Sequence, residues 1–230
     1  MTYTTVLFDL DDTLTDFSGS EYVALKEAMA KHNITLTEEI FTLYQMINRE
    51  VWELLEKGMF TKKEILSLRF DLLFAQAHLE GDPSQLNHDY LISMGRHAKK
   101  VDGAVEVLEA LADAGVRVAM VTNGAEMAQK IKLAVTGLDA YFDDIYISDI
   151  TGSAKPNIKF FEFVEKAMGG IDKENTMIVG DSLGSDILGG INFGISTCWF
   201  NPNELENTTD IEPDFEINHI GGLLMVLGLS

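Results

Sequence analysis

Two rhythms of apolar residues divide the chain. Val6-Leu7-Phe8, closing on Asp9-Leu10-Asp11-Asp12, predicts a buried strand over 4–9. From about Phe17 to Lys99 the spacing turns helical. Tyr22, Leu25 and Met29 fall on one stripe, and Ile40, Leu43, Tyr44, Ile47, Val51, Leu54 and Leu55 on a second. Ile65, Leu68 and Leu72 mark a third helix, and Leu86, Tyr90, Leu91 and Met94 a fourth, with a turn at Gly81-Asp82-Pro83 between them. Trp52, Met59, Phe60, Phe70 and Phe74 are expected mostly in the core of this helical block.

Beyond Val101-Asp102-Gly103 helices and strands alternate. Helices are predicted at about 103–114, 125–135, 156–168 and 185–192. Strands are predicted at 116–121, 145–147, 177–179 and 195–199, with a short strand and an apolar helix at the end. Alternation of this kind forms a parallel sheet covered by helices on both faces. The fold class is therefore α/β, a doubly wound parallel sheet. The expected domains are a core of residues 1–15 and 100–230, and an all-helical insertion at 16–99 after the first strand.

Composition narrows the partners. The 230 residues carry 37 acidic against 17 basic side chains, a formal charge of −20. Nucleic-acid polymers are bound through Lys and Arg, so no such partner is expected. A small anion remains compatible where a bound metal reverses the local field. Cys198 is the only cysteine, which excludes an intrachain disulfide and fits a reducing compartment. No apolar run approaches ~20 residues, so no membrane partner is expected and the location is read as cytoplasmic.

The polar clusters that carry chemistry all follow strands, where ligands bind in such sheets. Asp9 and Asp11, one residue apart at a strand end, put two like charges on one side; each resists ionisation unless a cation or a proton separates them. Thr122-Asn123-Gly124 is either a plain strand-to-helix turn or a phosphate cradle of hydroxyl and N–H groups. Lys155, held extended before Pro156, is expected at or near the start of a helix, where a cation can meet a phosphate. Asp181 and Asp186 bracket a Ser/Gly-rich loop, and Asp9 with Asp181 on neighbouring strand ends would supply oxygen ligands to Mg2+. Each cluster alone has a bland reading as a cap, turn or solvated charge. Cys198 and Gly189-Gly190 are read as packing residues; His32, His78, His88 and His97 lie in the helical block at no metal-like spacing, and His219 is near the end.

Together, Asp9-Leu10-Asp11-Asp12-Thr13, Thr122, Lys155-Pro156 and Gly180-Asp181…Asp186 resemble the haloacid dehalogenase-like hydrolase superfamily. Thr136-Gly137-Leu138, Tyr141-Phe142-Asp143, the run from Ser185 to Asn192 and Thr197-Cys198-Trp199 look like its bacterial pyrimidine 5'-nucleotidase branch. Asp102-Gly103 stands where many relatives have Pro-Gly, which touches nothing catalytic.

The resemblance implies a Rossmann-like core with a helical cap. It also implies a Mg2+-dependent phosphatase, with Mn2+ as a substitute, acting on nucleoside 5'-monophosphates such as dUMP, UMP or dTMP. Asp9 is then the nucleophile, Asp11 the acid and base, and Thr122 and Lys155 the phosphate-stabilising groups. The metal set is Asp9, Asp11 (through its backbone carbonyl), Asp181 and Asp186. Asn123, Trp52, Phe60 and Arg69 are the expected substrate contacts. A sugar-phosphate phosphatase or phosphomutase is the nearest alternative enzyme. A dehalogenase would not need Asp11, and a phospho-accepting receiver module is about half this length. The chain is expected as a monomer or homodimer.

Overall fold

In the computed structural model, which describes residues 3–229, the elements run in the predicted alternation. Strand β1 (Thr5–Phe8) is followed by helices α1 (Phe17–Lys31), α2 (Glu38–Glu56), α3 (Lys62–Gln76) and α4 (Pro83–Arg96). Then come α5 (Ala104–Asp113), β2 (Arg117–Thr122), α6 (Glu126–Thr136), β3 (Asp144–Ile147), the single turn α7 (Ser148–Thr151) and α8 (Ile158–Ala167). The chain closes with β4 (Thr176–Gly180), α9 (Leu188–Phe193), β5 (Ser196–Phe200), β6 (Phe215–Ile217) and α10 (Gly222–Leu227). A wide π-type turn, Leu183–Ile187, leads into α9.

The six strands are parallel in the order β3-β2-β1-β4-β5-β6. The chain leaves β1 for β2 and β3 on one side and returns through β4 to the other, so the reversal of winding lies at β1. Both faces of a parallel sheet are covered, which is why Val6, Leu7 and Phe8 are wholly buried. On one face Leu7, Val121 and Ile178 pack under Phe160, Phe161 and Val164 of α8 and Phe193 of α9. Gly189 and Gly190 let α9 lie close on this layer. A Cβ on Gly190 would stand 2.6 Å from Ile178 Cγ2 and 2.7 Å from Thr197 Cγ2.

The chain divides into two compact units. One comprises Met1–Asp16, Lys99–Glu126 and Thr136–Ser230, and contains the sheet. The other comprises Phe17–Ala98 together with Met127–Val135 of α6. Within the helical unit the caps follow the sequence: Thr37 accepts from the Ile40 N–H, Thr61 and Glu64 form a reciprocal capping box, and Asp82 caps α4 ahead of Pro83. No helix of the described residues is long and apolar enough to cross a membrane.

Several expectations are corrected. Tyr22 is 41% exposed, because α1 buries Glu21, Ala24, Leu25, Ala28 and Met29, a face rotated from the expected stripe. In α3 the buried face is Ile65, Arg69, Phe70, Leu73 and Phe74, not the one through Leu68 and Leu72. A buried arginine sits on that face, and apolar spacing alone misses it. Met59 and Phe60 lie in the exposed turn before α3 rather than in the core. Helix α8 is capped by Asn157 and begins at Ile158 rather than at Pro156, so Lys155 stands two residues before the cap.

Candidate active site

At the end of β1 the Asp9 N–H still donates to Val179 of β4, and the chain then turns sharply. The Leu14 and Thr15 N–H groups both donate to the Leu10 carbonyl, and Asp12 takes a left-handed φ of 56°, which an aspartate tolerates better than most residues. The turn buries Thr13 completely and leaves its hydroxyl 3.5 Å from both Asp9 Oδ2 and Asp181 Oδ1. Asp11 is half-buried, and its Oδ1 accepts from the Thr15 hydroxyl at 3.4 Å.

Lys155 closes the site from below. Only 1% exposed, its ammonium donates to Asp9 Oδ1 at 2.7 Å, Asp186 Oδ1 at 2.6 Å and the Val121 carbonyl at 2.6 Å. Burial alone would lower the lysine pKa, but the adjacent Asp186 and Asp9 outweigh it and hold the group above its ordinary value. Asn123 fixes the lysine's backbone from β2: its amide N–H donates to the Lys155 carbonyl (2.8 Å) while its oxygen accepts the Lys155 N–H (2.9 Å). Thr122, almost fully buried at the end of β2, accepts from the Gly124 N–H at 3.0 Å.

Asp186 is seated against bare backbone. An added Cβ on Gly180 would collide with its carboxylate, so glycine is required there by close approach. Its Oδ2 also accepts from the Ser182 N–H at 3.2 Å.

Ligand oxygens of Asp9, Asp181 and Asp186 all lie within 4.8 Å of one another. Loss of water raises the Asp9 pKa from 3.8 to about 7; Asp186 and Asp11 add to the rise, while Lys155 opposes it. Burial, reinforced by Asp9, Asp186 and Asp12, pushes Asp181 well above the carboxylate range. Three carboxylates against one ammonium leave two negative charges unbalanced when all are ionised. Donors that are all oxygen, crowded and short of two positive charges fit a hard divalent cation. The Asp11 side chain lies outside this oxygen cluster.

The structure thus gathers Asp9, Thr122, Lys155, Asp181 and Asp186 from four segments. Asn123, expected against substrate, spends both ends of its amide on Lys155. Arg69 is 2% exposed inside the helical unit, donating to Asn48 (3.0 Å) and Asn87 (2.8 Å) and lying against the rings of Phe70 and Tyr90. Trp52 is half-buried and donates to Asn48 at 3.2 Å; Phe60 is 37% exposed. Sequence reasoning missed Thr13 as a side chain facing two site carboxylates, and it missed Trp199, whose indole N–H donates to the Asp181 carbonyl at 2.8 Å. Only the position of Trp199 at the end of a predicted strand hinted at the second.

Residues 3–194 match the profile of the haloacid dehalogenase-like hydrolases. The chain is 35% identical to the pyrimidine 5'-nucleotidase PynA of Streptococcus pneumoniae, covering 97% of this chain and 94% of that one. It is 32% identical to the pyrimidine 5'-nucleotidase YjjG of Escherichia coli, over 96% of each. The crystal structure of the HAD-hydrolase YfnB of Bacillus subtilis, solved bound to magnesium, superposes with a TM-score of 0.92 at 34% identity, over 99% of this chain and 100% of that one.

Proposed function

This chain belongs to the haloacid dehalogenase-like hydrolases, and from that premise we propose that it hydrolyses nucleoside 5'-monophosphates, pyrimidine nucleotides foremost. The observation that carries the reading is the buried Lys155 ammonium, shared between Asp9 and Asp186 beside Asp181. That arrangement sets one Asp9 oxygen toward lysine and the other toward the Thr13 hydroxyl.

Asp9 attacks phosphorus and forms an aspartyl-phosphate as the bond to the nucleoside 5'-oxygen breaks. Asp11 gives its proton to that departing oxygen. It then takes a proton from the water that attacks the acyl-phosphate, so that inorganic phosphate leaves and Asp9 is restored. Lys155 balances the charge that builds on the equatorial phosphate oxygens, and Thr122 with the N–H groups of its turn holds one of them. Asp9, Asp181 and Asp186 would hold Mg2+, which when bound offsets repulsion between the carboxylate and the phosphate dianion. The reading draws its substrate class from the names of PynA and YjjG, and its metal from the donor set and the magnesium bound to YfnB.

The decisive experiment is phosphate release over a panel of nucleoside monophosphates, sugar phosphates and phosphoglycolate, with Mg2+ and with EDTA. Pyrimidine monophosphates are expected to lead the panel, EDTA to silence it, and Asp9→Asn to abolish turnover in a folded protein. Preference for a sugar phosphate would overturn the substrate class, and substantial turnover by Asp9→Asn would remove the nucleophile.

A further inference from the structure

We infer that Trp199 is a positioning residue for the cation site, acting on Asp181 through its backbone. The inference rests on the reading above, that Asp181 ligates a divalent cation. Trp199 lies on β5 directly opposite Gly180, the last residue of β4. Asp181 is the next residue along, just past the last paired position of that ladder, and its carbonyl accepts the indole N–H at 2.8 Å. The N–H at the other end of the same peptide, on Ser182, donates to Asp186 Oδ2 at 3.2 Å. The peptide joining Asp181 to Ser182 is therefore clamped from both ends, by Trp199 on one side and by the Lys155-bound Asp186 on the other.

That clamp sets the direction in which the Asp181 side chain leaves the backbone. The strand fixes the chain up to Gly180, and holding the following peptide plane fixes the backbone angles of Asp181, hence the direction of its Cα–Cβ bond. Without the clamp the carboxylate samples a wider arc and must be ordered each time the ion binds. The tryptophan is suited to this task because its ring is 5% exposed and cannot swing away, while its single N–H is spent on one acceptor. Outer-shell partners that hydrogen-bond metal ligands typically contribute tenfold or more to metal affinity.

Trp199→Phe keeps an aromatic ring and removes the donor. In calorimetric titration of the substrate-free protein, Mg2+ is expected to bind about tenfold more weakly to this variant than to the parent. At saturating Mg2+, kcat and the nucleotide KM should return to within about twofold of the parent, since every group touching substrate is unchanged. Parent-like Mg2+ affinity in a folded Trp199→Phe protein would overturn the inference. So would a fall in kcat that saturating Mg2+ does not repair, because that is the signature of a general packing defect. If the phenylalanine variant does not fold, 3-benzothienylalanine at position 199 keeps the shape of the indole without its N–H, and the same titration decides. A parent protein that binds no Mg2+ at all would instead bring down the reading of the site, and the inference with it.

Discussion

Lys155 shows how a single side chain ties a fold to its chemistry. Its three N–H bonds meet three acceptors, two of them carboxylates, in a place water does not reach. The ammonium is thus structural before any substrate arrives. Removing one partner of a buried ion pair leaves the other uncompensated, at a cost of roughly 3–5 kcal/mol. Lys155→Met should therefore lose about that much stability in urea unfolding, as well as its activity. Adding Asp186→Asn to Lys155→Met should give back part of the loss, because one of the stranded charges is removed. A Lys155→Met protein within ~1 kcal/mol of the parent would show that the Asp186 carboxylate is not left buried and uncompensated. Asn123 makes the same point from the other side: its amide sets the lysine's backbone.

At the level of elements, close approach matters more than propensity. Helix α9 carries two adjacent glycines, which on intrinsic preference cost about 1 kcal/mol each relative to alanine. They are tolerated because there is no room for a methyl group: one on Gly189 would meet the Phe161 ring, and one on Gly190 would meet Ile178 and Thr197. Gly190→Ala is expected to destabilise the protein by about 1–3 kcal/mol despite the gain in helix preference, since overpacking a close interface costs that much. Ile191→Ala, on the neighbouring position that is 44% exposed, should change stability by less than about 1 kcal/mol. Thermal melts of the two variants test the contrast, and a stabilised Gly190→Ala protein would refute the packing account.

The molecule as a whole carries a formal charge of −20, and the crowded carboxylates of the site concentrate part of it in one buried place. The sign of the pH dependence follows from Asp9. Its pKa rises from 3.8 to about 7 on folding, so the folded metal-free chain retains a proton that the unfolded chain releases. That contribution to stability is present in full below about pH 4 and is lost as pH rises through about 7. A divalent cation competes with the proton for the same oxygens, so its stabilising effect should grow over the same window. The expected result is a larger rise in Tm on adding Mg2+ at pH 8 than at pH 5.5, about 2.7 kcal/mol in stability at a hundredfold excess over Kd. The comparison belongs at matched ionic strength in NaCl, because a chain this acidic is also stabilised by screening. Equal increments from Mg2+ and NaCl would mean that the carboxylates hold no ion.

The alternation of β1 through β5 with their helices was readable because parallel strands buried on both faces are written as short apolar runs, and Val6-Leu7-Phe8 and Met177-Ile178-Val179 are such runs. Asp9, Thr122 and Asp181 were readable for a related reason: they stand at or just past the ends of β1, β2 and β4, where such a sheet collects its polar groups, whereas Lys155 lies beyond α7, eight residues past the end of β3, and was legible only through its place beside Pro156. The buried face of α3 was readable only in part: Ile65, Phe70 and Phe74 were expected inside, but Arg69 joins them through contacts with Asn48 on α2 and Asn87 on α4 that no local spacing records. The pairings of Asn123 with Lys155, 32 residues apart, and of Trp199 with Asp181, 18 apart, were not readable. Local periodicity reports which way a residue faces. Which distant polar group it meets depends on the order of strands in the sheet, and only the assembled fold settles that order.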